Sequence, residues 1–145
     1  MSVRGYSVIV ALVVISAIGL GCGGGTETLS KAQFIKQADA ACNKADQGQL
    51  TAMTRVPISG NRYSRANEEK VIVDGALPPV QVEAEEIAEL GSPAGDEKEV
   101  AAIVKGIEDG VAKAEKDPLH GLAKAFVEVG KRAAKYGLKA CAEPL

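Results

Sequence analysis

Leu29-Ser30-Lys31-Ala32-Gln33-Phe34-Ile35-Lys36-Gln37-Ala38-Asp39-Ala40-Ala41-Cys42 carries the clearest fold signal in the chain. Ser30 is placed to cap a helix, with Gln33 three residues on to reach back to it, and Leu29 and Phe34 stand at the two positions of a hydrophobic staple. Phe34, Ala38, Ala41 and Ala45 then recur at spacings of four, three and four, one apolar stripe at helical period. Together these signals predict a first helix from Ser30 to about Met53, with Cys42 beside the buried stripe.

Toward the C-terminus the punctuation continues. Val56-Pro57-Ile58-Ser59-Gly60-Asn61 breaks the pattern and reads as a loop. Residues 62–77 are ambiguous: Tyr63, Ala66, Val73 and Leu77 fit a helix, whereas Lys70-Val71-Ile72-Val73-Asp74-Gly75 fits a strand and turn. A lone strand would have no partner, so helix is the expectation. Pro78-Pro79 is expected to restart the chain, proline being tolerated in a first helical turn. The next segment should turn Val80, Ala84, Ile87 and Ala88 inward and Glu83, Glu85, Glu86 and Glu89 to water, ending at Gly91-Ser92-Pro93-Ala94-Gly95. Asp96, with Glu99 three residues later, signals another helix start. That helix carries Val100, Ile103, Val104, Ile107, Val111 and Ala114 on one face.

Asp117 as cap and Pro118 as first residue open a last helix, with Leu119, Leu122, Phe126, Ala133 and Tyr136 inward. Gly137 stands where a left-handed residue ends a helix. Gly130, with Ala123 and Ala134, is expected to let a neighbouring helix approach closely. All six prolines (57, 78, 79, 93, 118 and 144) fall at boundaries or in the tail. The agreement of caps, stripes and breakers predicts an all-α fold, an antiparallel bundle of about four long segments over residues 29–145.

Upstream the composition changes. Arg4 is followed by an uncharged apolar run from Tyr6 to Leu20, and then by Gly21-Cys22-Gly23-Gly24-Gly25. A short positive region before an apolar core has the form of a signal peptide. The junction resembles the lipobox of bacterial lipoproteins, in which a small residue precedes a cysteine that is acylated and becomes the new N-terminus. The branched aliphatic residue usual three places before that cysteine is replaced here by Gly19, with Leu20 one place later. The resemblance implies a signal peptide over residues 1–21 and an acylated Cys22. Residues 22–28 would then form a glycine-rich tether. Acyl chains would hold the domain on a membrane, since two or more chains give stable attachment where one does not. The alternatives are an uncleaved span, because residues 5–26 carry no charge and reach the ~20 residues a span requires, and a buried core helix. Under the first two readings Arg4 on the cytoplasmic side directs the domain outward.

Three cysteines, Cys22, Cys42 and Cys141, are an awkward number for an exported protein. Assigning Cys22 to lipid leaves Cys42 and Cys141 as a pair, which an oxidising compartment joins in a disulfide. The alternative is two reduced, buried cysteines acting as small hydrophobes. Zinc would need more ligands at short spacing, and the chain has one histidine.

The remaining sequence argues mainly against chemistry. Net charge is −2, and Lys and Arg are not clustered, so nucleic acid is not an expected partner. His120 follows Asp117 by three residues, but no activated nucleophile accompanies them. The acidic run at 83–89 lacks the loop geometry of a calcium site and reads as a solvated helix face. Gly21 to Thr26 lacks the lysine of a phosphate loop. No catalytic, metal or cofactor-binding residues are therefore expected.

The helix start through Ala40-Ala41-Cys42, the segment Gly91-Ser92-Pro93-Ala94-Gly95-Asp96-Glu97 and the ending Tyr136-Gly137-Leu138-Lys139-Ala140-Cys141 resemble a group of small secreted lipoproteins of actinobacteria. That resemblance implies a fold and an address, with no activity attached. The functional expectation is a lipid-anchored, extracytoplasmic, non-enzymatic protein of the cell envelope, with an envelope protein or ligand as partner. The alternative is a small-molecule-binding bundle, which requires an apolar cavity of at least ~300 Å3 between helices.

Overall fold

The structure, a computed structural model, describes residues 28–142. The expected signal segment, Cys22 and the tether up to residue 27 lie outside the described residues. Helix α1 spans Lys31–Arg55. Its start is the expected capping box: Ser30 Oγ accepts the Gln33 backbone N–H at 3.3 Å, and Gln33 Oε1 accepts that of Ser30 at 2.9 Å. Phe34, Ala38, Ala41, Cys42 and Ala45 form its buried face, and Leu29 packs against the same core. The helix ends where Val56, preceding Pro57, turns extended.

The loop that follows is held by an internal polar anchor. Asn67, buried in α2 (Arg65–Val71), donates through Nδ2 to the carbonyls of Ser59 at 2.9 Å and Asn61 at 2.8 Å. The stretch expected to be strand or helix is therefore helical, but Tyr63 and Ala66 are exposed rather than facing the core. Helix α2 also runs on into α3 (Leu77–Glu89) through a π-helical turn, Ile72–Ala76. Pro78 and Pro79 stand in the first turn of α3, as expected, but the chain does not leave the helix before them. A proline ring within a helix collides with the carbonyl four residues back, and the wider turn, in which the Leu77 N–H reaches the Ile72 carbonyl, makes room for both rings. A glycine is required there, because a Cβ on Gly75 would lie 2.9 Å from the Cα of Met53 in α1.

Gly91 and Gly95, both at positive φ, carry the chain around to α4, Glu97–Lys116. Its inward face is Val100, Ile103, Ile107, Gly110, Val111 and Ala114. Neither Asp96 nor Asp117 caps with its side chain. The last expected helix is two: α5 (Pro118–Ala125) and α6 (Val127–Tyr136), broken at Phe126. The ring of Phe126 lies over Gly110, where a Cβ would meet it at 2.5 Å, and Val129 crosses Gly106, where a Cβ would meet its Cγ2 at 2.8 Å. Close approach is thus made by the glycines of α4. Gly130 faces the C-terminal turn, Ala134 is exposed, and the expectation that they form the crossing is corrected.

Gly137 adopts φ +112°, and the Leu138 N–H bonds back to the Ala133 carbonyl at 3.0 Å, ending α6 as expected. A 3-10 turn, Ala140–Ala142, then docks on α1, where Asp39 Oδ1 accepts the Ala140 N–H at 2.9 Å. The architecture is an all-α antiparallel bundle of four long segments: α1, the α2–α3 rod, α4 and the α5–α6 pair. Helix α3 lies between α1 and α4, and α4 supports α5 and α6. Among the described residues no helix is long and apolar enough to cross a membrane.

Candidate functional site

Cys42, in the middle of α1, and Cys141, on the C-terminal turn, form a disulfide with Cα atoms 5.2 Å apart and 99 residues of sequence separation. The expected pairing is present. Helical phase brings a third group to it. Val80, Ala84 and Ile87 mark the buried stripe of α3, and Glu83, three residues after Val80 and four before Ile87, lies on the same stripe. Glu83 is 7% exposed, and its Oε1 sits 3.0 Å from Cys42 Sγ. Both sulfurs are bonded to each other, so Cys42 has no proton to donate. The contact is a carboxyl oxygen, or its O–H, against a disulfide sulfur. The expectation that Glu83 faces water is thereby corrected, as is the inward placement of Ala88, which is exposed.

The surroundings make the carboxylate form unfavourable. A hollow of about 30 Å3 beside the bridge is walled by Val80, Ile107, Val129 and Gly130, with Asp46 as the other acidic group. Burial pushes the Glu83 carboxyl up from its ordinary 4.5 to about 7, and the negative charge of Asp46 adds to the shift. A hollow of this size holds one water, far less than the ~300 Å3 required by a small-molecule bundle. Cys42, Cys141 and Glu83 bring their ligand atoms within 4.8 Å of one another. A disulfide offers a metal no thiolate, however, so in the bridged state this cluster is an acid–disulfide pair.

A second polar cluster ties three elements together. Tyr136 donates its hydroxyl to Asp96 Oδ2 at 2.8 Å, Lys31 pairs with the same oxygen at 3.3 Å, and Lys31 Nζ lies 4.0 Å from the Tyr136 ring centroid. The Tyr136 hydrogen bond holds the Asp96 carboxyl below its usual range, while burial raises the Tyr136 hydroxyl. Phe34 meets Tyr136 edge-on, with centroids 5.9 Å apart. This arrangement fastens the starts of α1 and α4 to the end of α6.

His120 and Asp117 make a 3.1 Å contact in which both side chains are more than half exposed. The rest of the acidic run divides: Glu85 and Glu89 face solvent, and Glu86 pairs with Lys44. An open groove of about 510 Å3 between α4 and α6 carries charges of both signs. Within it Arg132 pairs with Glu99 at 3.2 Å and Lys131 with Glu128 at 2.8 Å, so these side chains largely neutralise one another. Cys22 lies outside the described residues.

No family model, curated protein or solved structure matches the chain.

Proposed function

We propose that this chain is a lipid-anchored protein of the cell envelope: exported, acylated on Cys22, and held by those acyl chains on the extracytoplasmic side of the cell membrane. Its helical domain binds an envelope partner or contributes to envelope structure without turning over a substrate. The Cys42–Cys141 bridge is the observation that carries this reading. Disulfides form and persist in oxidising compartments, and a closed bridge leaves Cys22 as the one remaining thiol, at the position where the lipobox-like junction calls for acylation. The glycines after it give the domain a flexible standoff from the lipid surface.

Metabolic labelling with radioactive fatty acid in a bacterial host tests the anchor. The wild-type chain is expected to take up label and partition with membranes, and Cys22→Ala is expected to lose both the label and the faster-migrating processed form. Undiminished labelling of Cys22→Ala would show that the lipid is elsewhere, and an unlabelled wild type would remove the anchor altogether.

A further inference from the structure

The acid–disulfide pair has the parts of a thiol–disulfide exchange site. The two sulfurs are unequal: Cys42 is 2% exposed within α1, whereas Cys141 is only half-buried, on a short turn at the end of the described chain. An external thiolate therefore reaches Cys141 first. Cys42 is then the leaving group, and it departs into a buried setting where an uncompensated thiolate is strongly disfavoured. Glu83 Oε1 stands 3.0 Å from that departing atom, within the distance proton transfer requires.

We propose that Cys42–Cys141 is an exchange-competent bridge, opened by attack of an external thiolate on Cys141 Sγ while the Glu83 carboxyl hands its proton to Cys42 Sγ. In that step the new bond joins the attacking sulfur to Cys141, and the Cys42–Cys141 bond breaks. Its electron pair goes to Cys42, which leaves as a thiol, and Glu83 is left as a carboxylate. The second thiol of a dithiol reductant then attacks the reductant's own sulfur in the mixed disulfide, and its proton passes to Cys141, which leaves as a thiol. The bridge thus gains two electrons and the dithiol is oxidised to its own disulfide. In the reverse direction the Glu83 carboxylate takes the proton from Cys42 as it attacks. The partner chemistry is thus an exposed, low-pKa dithiol.

The electrostatics suit this role. Burial raises the Glu83 carboxyl to about 7, and a proton donor is most effective when its pKa lies near the working pH. Asp46 is the acidic group facing it from α1, while the neighbours from α4, α6 and the C-terminal turn, Ile107, Val129, Gly130 and Ala140, carry no charge. The inference is independent of the lipid anchor.

Opening of the oxidised full chain by dithiothreitol, followed by acid quench and thiol alkylation between pH 5.5 and 8.5, tests it. Each rate is divided by the concentration of reductant thiolate. The wild-type rate per thiolate is expected to fall about tenfold between pH 6 and pH 8, with its midpoint near 7, following the protonated fraction of Glu83. Glu83→Gln is expected to be at least tenfold slower at pH 6 and level across the range. Asp46→Asn keeps the donor and is expected to move the midpoint to lower pH, which keeps the test decisive if Glu83→Gln fails to fold. With 2-mercaptoethanol, the trapped mixed disulfide is expected on Cys141. A level wild-type profile, an unchanged midpoint in Asp46→Asn, or a mixed disulfide on Cys42 would each overturn the proposal.

Discussion

Glu83 spans 2.5 pH units between its ordinary carboxyl value of 4.5 and its value in the bundle of about 7. Over that window the folded chain retains a proton the unfolded chain has lost, so stability falls as pH rises. The decline amounts to about 3 kcal/mol in all, and its slope fades within about one pH unit below 4.5 and above 7. Glu83→Gln is expected to remove it: wild-type Tm should drop by roughly 10 °C between pH 5 and pH 8 while the variant stays nearly level, as circular dichroism melts would show. Asp96, held low chiefly by Tyr136, acts in the opposite sense, losing its contribution only as pH drops below the ordinary aspartate range. The phase that buries Glu83 is legible in Val80, Ala84 and Ile87. Its residue type hides it, because an acidic side chain amid Glu85, Glu86 and Glu89 reads as solvated, and only the position of the bridge shows what it meets.

Helices were legible one at a time, their joins less so. The capping box at Ser30 and the left-handed Gly137 are local devices, with partners within a few residues, and the sequence states both outright. The continuity of α2 with α3 depends on the π-helical turn, where two prolines imply a break that the wider turn avoids. The break at Phe126 has no proline or glycine to announce it; at that residue the ring seats over Gly110 of another helix. The two crossing glycines should respond differently to a methyl group. Gly75→Ala drives a Cβ onto the backbone of α1 and is expected to destabilise by about 1–3 kcal/mol. Gly106→Ala meets side-chain atoms only, those of Val129 on α6, and alanine regains up to ~1 kcal/mol of helix propensity. Urea midpoints should therefore rank wild type above Gly106→Ala and Gly106→Ala above Gly75→Ala.

For the molecule as a whole, the fold class follows from prolines at boundaries and from stripes of Ala, Val, Ile and Leu. A light core of this kind gains from a covalent closure. Phe34, Leu77, Ile87, Ile103 and Leu138 are its largest fully buried side chains, each worth ~1.5–3 kcal/mol. The chain-entropy model assigns up to ~4.7 kcal/mol to a loop of about 100 residues, a large part of the ~5–15 kcal/mol by which domains are usually stable. Cys141→Ser is expected to unfold at the guanidinium midpoint of the reduced wild type, well below that of the oxidised protein. A midpoint equal to the oxidised protein's would show that the bridge adds no stability. On gels, wild type should change mobility on reduction and the variant should not.

The exposed loop between α1 and α2 lies inside the ring that the sulfurs close. A protease that nicks the chain near Gly60 or Arg62 therefore sheds nothing, because the two pieces stay covalently joined until a reductant arrives. With the anchor on Cys22 that we propose, the nicked C-terminal piece would remain on the surface, and its release would become a redox event rather than a proteolytic one.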